Sequence, residues 1–303
     1  MDAWHGHGPA SEHAGARYRT RLAVAFTLTA AFFAVELIAG LVSGSLALIS
    51  DAGHMAADVV ALGASLVATR IATRPDRSGR RTYGSYRAEV FASGLTVLIM
   101  LGVGIYVLLE AFSRIEQTPH VASGTMLVVG IIGLAVNIAS MLVLRAGSRE
   151  SLNVRGAYFE VVADAAGSVG VIVAGALIAV TGQSVWDVVV ALLIAVFVIV
   201  RAVTLGRQVL AVLGQHAPVG IDPEVVAASL DSIDGVSQVH DLHVWALTSG
   251  MNVATAHLVA APQADHHDVL DNARDVLRDR FGIAHATLQV EPVDHRGCQD
   301  LTW

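Results

Sequence analysis

Two short stretches of the sequence carry ionisable residues at helical spacing inside long apolar segments. The first stretch contains Asp51, His54 and Asp58, and the second contains Glu160 and Asp164. Residues three or four positions apart lie on the same face of an α-helix, so each stretch presents its polar side chains together. Two such pairs, each one turn apart, are the parts from which a four-ligand metal site can be built.

The ligand atoms of the two pairs indicate which ions such a site would prefer. The first pair, His54 and Asp58, offers one nitrogen and one oxygen. The second pair, Glu160 and Asp164, offers two oxygens. Nitrogen and oxygen ligands in tetrahedral geometry suit Zn²⁺, and three carboxylates make the set harder, which also favours Mn²⁺, Fe²⁺, Co²⁺ or Cd²⁺. We therefore expect a divalent transition metal, with Zn²⁺ foremost, between the two pairs.

Acidic residues inside an apolar segment need a compensating partner. A carboxylate at bilayer depth costs at least ~2.5–3.5 kcal/mol on insertion scales. We expect no Arg at membrane depth to pair with these acids, which leaves a bound dication as the expected partner. An ion-paired or hydrogen-bonded interior patch without a transport role is the alternative. That alternative is strongest for Asp51, which we place near the outer mouth of the site.

The same residues predict the source of energy. Metal ligands lose their protons when they bind, so protons and metal compete, and His54 is the group that most readily changes charge near neutral pH. The sequence contains no G-x-x-x-x-G-K-[ST] nucleotide-binding loop, which argues against ATP-driven pumping. These features favour a secondary transporter, not an enzyme, that exchanges metal for protons at one site opening to each side in turn.

The composition indicates that this site is built from membrane-spanning helices. The 303-residue chain is 54% hydrophobic and 15% charged, whereas soluble domains carry about 25% charged residues. Six segments are long and apolar enough to cross a bilayer. We place them at about 21–43, 46–70, 87–112, 121–145, 154–180 and 186–207. The predicted fold of this part is an all-α six-helix transmembrane domain.

The arginines predict how these spans are oriented. Of the 15 Arg before residue 209, 14 precede the first span, lie between spans two and three or four and five, or close the sixth. Arg114 falls on the other side. Cytoplasmic loops carry the excess of basic residues. Both termini are therefore expected in the cytoplasm, with the protein in the plasma membrane.

The chain after residue 208 differs in composition, with 4 Arg against 13 acidic residues. We predict a helix at 222–232, strands at 236–247 and 251–260, a helix at 266–281 and a strand at 285–291. The first of these strands alternates polar and apolar residues with period two. This αββαβ order predicts a small α+β ferredoxin-like domain. The predicted division is a His-bearing cytoplasmic tail (1–20), the transmembrane domain (21–208) and a cytoplasmic regulatory metal-binding domain (209–303).

Taken together, the motifs resemble the cation diffusion facilitator family, in particular its zinc, cadmium and cobalt exporters. The resemblance covers about residues 17–295. Its motifs are SDAGHMAAD (50–58), YGSYRAE (83–89), NVRGAYFEVVAD (153–164), GSVG (167–170) and HDLHVW (240–245). It implies a homodimer of six-helix subunits, each with a ferredoxin-like cytoplasmic domain, that exports divalent metal in exchange for protons. It also implies that the two pairs form the metal site, with Glu160 where zinc-transporting members usually carry His.

The resemblance further implies a second metal site in the cytoplasmic domain. Its three residues are His240, His257 and Glu291. They lie on three separate predicted strands, which a ferredoxin-like sheet would bring side by side. Cys298 and the N-terminal His5 and His7 could complete such a site. Histidines that bond to neighbouring protein groups within the sheet are the alternative.

Other polar residues in the predicted spans carry weaker functional signals. Glu36 could line the path of metal or protons, whereas Asn137 is expected to form a hydrogen bond between helices. Arg87 and Glu89 are expected to have structural roles at the cytoplasmic face of the membrane.

Two other functions compete with metal–proton exchange. A membrane-anchored metal sensor, in which the spans serve only as an anchor, has no need for ligand pairs at matched depth in two spans. A passive channel needs a continuous polar stripe, and the spans carry isolated pairs instead. Neither composition nor motifs indicate a nucleic-acid partner.

Overall fold

The computed structural model describes the backbone of residues 12–72, 81–117, 121–145 and 152–293. Side chains are described for residues 23–60, 63, 81–114, 121–145 and 158–293. The first six helices are α1 (Glu12–Ser43), α2 (Leu46–Ala72), α3 (Ala88–Gln117), α4 (Ser123–Arg145), α5 (Leu152–Thr181) and α6 (Val185–Leu213). The later elements are α7 (Pro223–Asp231), β1 (Val236–Thr248), β2 (Met251–Ala260), α8 (His266–Phe281) and β3 (His285–Pro292). The candidate ligands His5, His7 and Cys298 lie outside the described residues.

Among the described residues, five helices are long and apolar enough to cross a membrane. Their spans are Ala23–Ser43, Ala88–Arg114, Ser123–Arg145, Tyr158–Thr181 and Val185–Leu213. The remaining predicted span corresponds to α2, whose side chains are described as far as residue 60 and at residue 63. The chain is therefore a multi-pass membrane protein, and the count of six spans stays a prediction.

The spanning helices turn large apolar side chains outward. Leu98 and Leu109 of α3 and Leu193 of α6 are 67–68% exposed, whereas Ser140 and Asn137 of α4 are buried. Lipid tails are as apolar as leucine, so such a surface suits a bilayer.

Glycines let α4 lie close to its neighbours. A Cβ added to Gly130 would lie 2.8 Å from Ile172 of α5, and one added to Gly133 would lie 2.5 Å from Phe32 of α1. Small residues at helix interfaces allow this kind of close packing in membranes.

The N-terminus of α2 is held by a carboxylate from another helix. Asp187 of α6 is fully buried. Its Oδ1 accepts hydrogen bonds from Ser45 Oγ at 2.6 Å and the Ala47 amide at 3.1 Å, and its Oδ2 accepts one from the Leu46 amide at 2.7 Å. The first amides of a helix have no intrahelical acceptor and favour a negative charge. This contact fixes the start of α2 about two turns before His54.

Arg114 completes the same network from α3. Its Nη1 donates to the Gly44 carbonyl at 2.5 Å and lies 3.9 Å from Asp187 Oδ2, while its Nε donates to Glu110 at 2.9 Å. Three helices, α2, α3 and α6, are thus tied together at this end.

The C-terminal elements form a three-stranded sheet in the order β1-β2-β3. Strand β1 runs antiparallel to β2, and β2 runs parallel to β3. The observed element order, helix, two strands, helix, strand, is the predicted αββαβ order. The ferredoxin-like assignment itself stays a prediction.

The two helices of this part begin and end at residues that suit those positions. Asp222 caps α7 by accepting from the Glu224 amide, and Asp265 caps α8 by accepting from the His267 amide. Gly282 ends α8 with a φ of 66°, a left-handed conformation that glycine adopts without steric cost. Helix α8 buries one stripe against the sheet, made of Val269, Ala273 and Leu277.

The described residues fall into two compact units. One contains residues up to 64 together with 95–204, and the other contains residues 65–94 together with those from 205 onward. Within the second unit, Thr248 Oγ1 donates to Glu89 Oε2 at 3.0 Å. Glu89, at the first turn of α3, thus accepts a hydrogen bond from a side chain of β1.

Candidate metal centres

Helices α2 and α5 bring three of the four predicted ligands together. His54 Nε2 lies 3.6 Å from Asp58 Oδ2 and 3.2 Å from Asp164 Oδ1. One ligand atom from each of the three residues lies within 4.8 Å of the others. We call this group the membrane cluster (His54, Asp58 and Asp164).

The local sequence explains how the membrane cluster forms. His54 and Asp58 are one turn apart, so both side chains leave α2 on the same face. Gly167 of α5 lies directly against the Asp51 carboxylate of α2, and a Cβ at that glycine would overlap it. The two helices can therefore approach closely enough for Asp164 to reach His54.

Glu160 faces an arginine. Its Oε2 lies 2.5 Å from Arg201 Nη2, and Arg201 Nη1 lies 3.0 Å from His54 Nε2. Our expectation that no Arg would pair with these acids is therefore wrong. The sequence places Arg201 at the cytoplasmic end of the sixth predicted span. In the structure it lies within α6, and its long side chain carries the guanidinium to Glu160 on α5.

The hydrogen-bonding roles at His54 follow from the chemistry of arginine. A guanidinium has only donors, so Arg201 bonds this nitrogen in the tautomer whose Nε2 is unprotonated, through the Nε2 lone pair. In that tautomer Nε2 has no proton to donate to Asp164 Oδ1, which lies 3.2 Å away. His54 Nε2 thus lies close to both the Arg201 guanidinium and the Asp164 carboxylate.

Two further acids lie buried near the membrane cluster. Asp51 of α2 and Glu36 of α1 are 2% and 0% exposed. Glu36 interacts electrostatically with Asp51 and Asp164. Asn137 Nδ2 donates to Ser168 Oγ at 3.3 Å, which confirms the predicted hydrogen bond between helices, here α4 and α5.

The sheet brings a second set of predicted ligands together. His257 Nδ1 lies 3.0 Å from Glu291 Oε1, and His240 Nε2 lies 3.5 Å from Glu291 Oε2. Their ligand atoms all lie within 4.8 Å of one another. We call this group the sheet cluster (His240, His257 and Glu291).

Strand register accounts for the sheet cluster. His240 on β1 is directly opposite His257 on β2. On β3, Gln289 is the register partner of His257, and Glu291 follows two residues later on the same face. Gln289 Nε2 donates to Glu291 Oε1 at 2.7 Å, which orients the carboxylate.

Asp241 is a neighbour of the sheet cluster that the alternating pattern did not reveal. The ladder shifts register between His240 and His243, and Asp241 has a φ of 49°. Such an irregularity re-aims side chains. Asp241 Oδ2 lies 3.8 Å from His257 Nε2, and its Oδ1 lies 3.0 Å from His243 Nε2. His243 therefore has a protein partner in Asp241.

Comparison with known proteins gives consistent matches along the chain. The family model described as the cation efflux transmembrane domain matches residues 22–213, and the model of the cation efflux protein cytoplasmic domain matches residues 218–293. The metal cation efflux system protein CzcD of Cupriavidus metallidurans is 41% identical, over 96% of this chain and 90% of its own. A cadmium, cobalt and zinc/H⁺-K⁺ antiporter of Bacillus velezensis is 33% identical, over 93% and 91%.

A solved structure also matches part of the chain. It is the metal-bound C-terminal domain of the CzcD transporter from Cupriavidus metallidurans. It covers 23% of this chain and 99% of its own, with 38% identity and a TM-score of 0.23. The family models and the full-length relatives together confirm the resemblance seen in the motifs: the chain belongs to the cation efflux family of metal transporters, the cation diffusion facilitators.

Proposed function

We propose that this protein is a secondary active exporter of divalent transition-metal cations. Zn²⁺ is the foremost cargo, with Cd²⁺, Co²⁺, Mn²⁺ and Fe²⁺ as further substrates, and protons are the counter-ion. The observation that carries the proposal is the buried membrane cluster, in which an imidazole and two carboxylates from two helices lie within 4.8 Å. The names of the relatives, a metal cation efflux system protein and a cadmium, cobalt and zinc/H⁺-K⁺ antiporter, support the same conclusion.

The proposed cargo ligands are His54, Asp58 and Asp164, with Glu160 as the fourth. Nitrogen and oxygen donors of this kind suit Zn²⁺, and the excess of carboxylates extends the range to harder cations. Each ligand must be deprotonated to bind metal. Protons that reach the site from the opposite side of the membrane therefore promote release, which couples the two fluxes.

The sheet cluster is proposed as a second, regulatory metal site. It offers two imidazoles and one carboxylate, a ligand set typical of zinc. Gln289 donates a hydrogen bond to Glu291, and Asp241 lies near His257. Both residues stand outside the cluster and contact its ligands, as outer-shell partners of metal ligands commonly do.

The placement in the cell is part of the same proposal. We place the protein in the plasma membrane, and the distribution of Arg supports both termini in the cytoplasm. We assign residues 1–20 to a cytoplasmic tail, 21–208 to a six-helix transmembrane domain that transports the cation, and 209–303 to a ferredoxin-like cytoplasmic domain. The match to the cation efflux cytoplasmic domain supports a homodimer.

A membrane-anchored metal sensor is the second candidate. The sheet cluster favours it, because a metal site in a separate compact unit could signal without transport. The membrane cluster argues against it, because an anchor does not need buried ligands.

Metal uptake into proteoliposomes with an acidic lumen separates these candidates. The exporter takes up Zn²⁺ or Cd²⁺ as protons leave the lumen, and Asp58→Asn or Asp164→Asn abolishes that uptake. Asp234→Asn, an exposed acid outside both clusters, is the matched control and should transport at the parent rate. Uptake by neither the parent nor the control would favour the sensor, and full uptake by the Asn variants would reject the site.

A further inference from the structure

Arg201 occupies a defined place beside the membrane cluster. It lies in α6, with its side chain 26% exposed, paired with Glu160 and bonded to His54. Its guanidinium carbon also lies 5.8 Å from the centroid of the Phe197 ring, which itself packs edge-on against the His54 imidazole at 6.0 Å. Ring and guanidinium from adjacent turns of one helix thus hold the same histidine.

The turn of α6 that carries Arg201 is fixed by packing. Val198 and Ala202 are buried with Ala57 of α2 and Met100 of α3. This core between three helices fixes the backbone from which the Arg201 side chain extends, which argues against free movement of its guanidinium.

The contacts of Arg201 conflict with metal binding at the same atoms. Arginine remains protonated in proteins and can only donate hydrogen bonds, so its 3.0 Å contact with His54 Nε2 uses the lone pair of that nitrogen in the accepting tautomer. A cation bound at that nitrogen needs the same lone pair. Glu160 presents the same choice, because its carboxylate already pairs with the guanidinium. Two of the four proposed ligands are therefore shared between Arg201 and the cargo.

The charges lead to the same conclusion. The four proposed ligands include three carboxylates, and Arg201 contributes one positive charge among them. The remaining excess of two negative charges equals the charge of one divalent cation. Without Arg201 the site would hold a dication with one more uncompensated carboxylate, and Coulomb attraction in a buried site would slow its departure.

We propose that Arg201 is a tethered cation that sets the affinity of the cargo site. Arg201 contacts His54 and Glu160 between transport events and is displaced from them when a divalent cation binds. It competes for the same two ligands again when the cation leaves. This inference rests on the proposed function and adds to it a residue that tunes release.

The test is a set of four proteins: the parent, Arg201→Met, Glu160→Gln and the double variant. Each is purified as the full chain in detergent, and Cd²⁺ and Zn²⁺ binding is measured by titration calorimetry in a His257→Ala background, which weakens metal binding at the sheet cluster. Arg201→Met removes the competitor, so Kd should fall by roughly tenfold or more. The same substitution should tighten binding in the Glu160→Gln background, where Arg201 would otherwise lack its carboxylate partner and still compete for His54.

Transport and control measurements separate this role from a structural one. Tighter binding should accompany a lower kcat and a lower KM in proteoliposomes, and Arg201→Lys, which keeps a cation, should recover most of the parent kcat. Arg207→Met removes an exposed Arg from the same helix and should leave Kd unchanged. Thermal unfolding of each variant checks that it is folded.

The opposite results would overturn the inference. Folded Arg201→Met with the parent Kd, or with weaker binding, rejects the tethered cation. If that variant does not fold, the comparison of Glu160→Gln with the charge-balanced double variant decides the matter by the same criterion. If Asp58→Asn and Asp164→Asn transport normally, the proposed function fails instead, whatever Arg201 does.

Discussion

The membrane cluster and the sheet cluster use the same residue types in different proportions and settings. The membrane cluster has one imidazole and two carboxylates, is nearly excluded from solvent at His54 and Asp164, and has Arg201 bonded to its histidine. The sheet cluster has two imidazoles and one carboxylate, and its histidine side chains are 19% and 24% exposed.

This difference suits two kinds of binding. A cation that must leave is best bound by a ligand set with a built-in competitor, as Arg201 provides. A cation that remains is best bound by ligands that a rigid scaffold holds in register, as His240 and His257 are held by directly paired strands. We therefore interpret the membrane cluster as a transit site and the sheet cluster as a resident site.

The two clusters are also positioned differently. The sheet cluster depends on a backbone ladder between neighbouring strands. The membrane cluster depends on contacts between helices far apart in sequence, including the Asp187 carboxylate that fixes the start of α2. Substitutions can therefore damage one cluster and spare the other.

The largest expected effect comes from Asp164→Asn. It removes an anionic ligand from the membrane cluster, and we expect the rate of metal uptake to fall by about 100-fold or more, beyond the effect typical of outer-shell changes. Metal bound per chain at the sheet cluster should be unchanged. Initial uptake rates and metal content by mass spectrometry measure both, and loss of metal from both clusters would show that they are not independent.

His257→Ala should produce the converse result. Loss of one of two imidazoles should weaken metal binding at the sheet cluster by roughly 100-fold, while exchange in proteoliposomes continues within a few-fold of the parent. Equilibrium dialysis with Zn²⁺ measures the affinity. His266→Ala, which removes an exposed histidine at the start of α8, is the control. Complete loss of transport in His257→Ala would contradict a purely regulatory role.

Glu160→His should make the set of four proposed cargo ligands softer. A second imidazole in place of a carboxylate favours zinc over cobalt or manganese, and we expect the Zn²⁺ to Co²⁺ transport ratio to rise by about tenfold. A metal-by-metal panel in proteoliposomes measures it. Because the variant leaves Arg201 without its carboxylate, the panel should be repeated with Arg201→Met added. An unchanged ratio in both would reject Glu160 as a determinant of selectivity.

Asp187→Asn should weaken the positioning of α2 without touching a ligand. Loss of the charge from a carboxylate that accepts three hydrogen bonds should cost about 1–3 kcal/mol of stability, with a lower midpoint of thermal unfolding and a modest loss of transport. The sheet cluster should bind metal as before. An unchanged midpoint would mean that Asp187 does not hold the start of α2.

The smallest expected effect is that of Asp241→Asn. Asn tolerates a positive φ as well as Asp does, so the bulge should remain while the negative charge beside His257 is lost. We expect Zn²⁺ affinity at the sheet cluster to fall by about threefold, measured by competition with a chromophoric chelator. An effect as large as that of His257→Ala would make Asp241 a ligand.

The length of the apolar runs was enough to predict where the spanning helices lie. It predicted the residues at which these helices end less accurately. The sixth span was predicted at 186–207, and α6 continues to Leu213. A helix does not end where the lipid does, because its backbone hydrogen bonds continue as long as the residues allow. Here the helix ends before Gly214 and Pro218, which are typical helix-ending residues.

The membrane cluster was predictable because the spacing of its pairs is local. The four-residue spacing of His54 and Asp58 places them on the same helix face. Only the approach of α2 to α5 had to be assumed. Arg201 and Asp187 were missed because their partners lie on other helices. The available signal was the presence of an acid, Asp187, and an arginine, Arg201, within the apolar segment of α6. Each needs a polar partner there.

The sheet cluster was predictable for a different reason. Its residues came from motif resemblance and from three predicted strands, and the register of β1, β2 and β3 brings those residues together. The position of Asp241 could not be foreseen, because a register shift between His240 and His243 breaks the period-two alternation on which the prediction relied.

The most direct test of the central claim is whether a metal gradient alone moves protons. Proteoliposomes with equal pH on both sides and a pH dye in the lumen receive external Cd²⁺ or Zn²⁺. The account predicts that lumen pH rises as metal enters and protons leave, and that Asp164→Asn shows neither flux. Metal entry without a change in lumen pH, or an equal pH rise in Asp164→Asn, would contradict exchange at the membrane cluster.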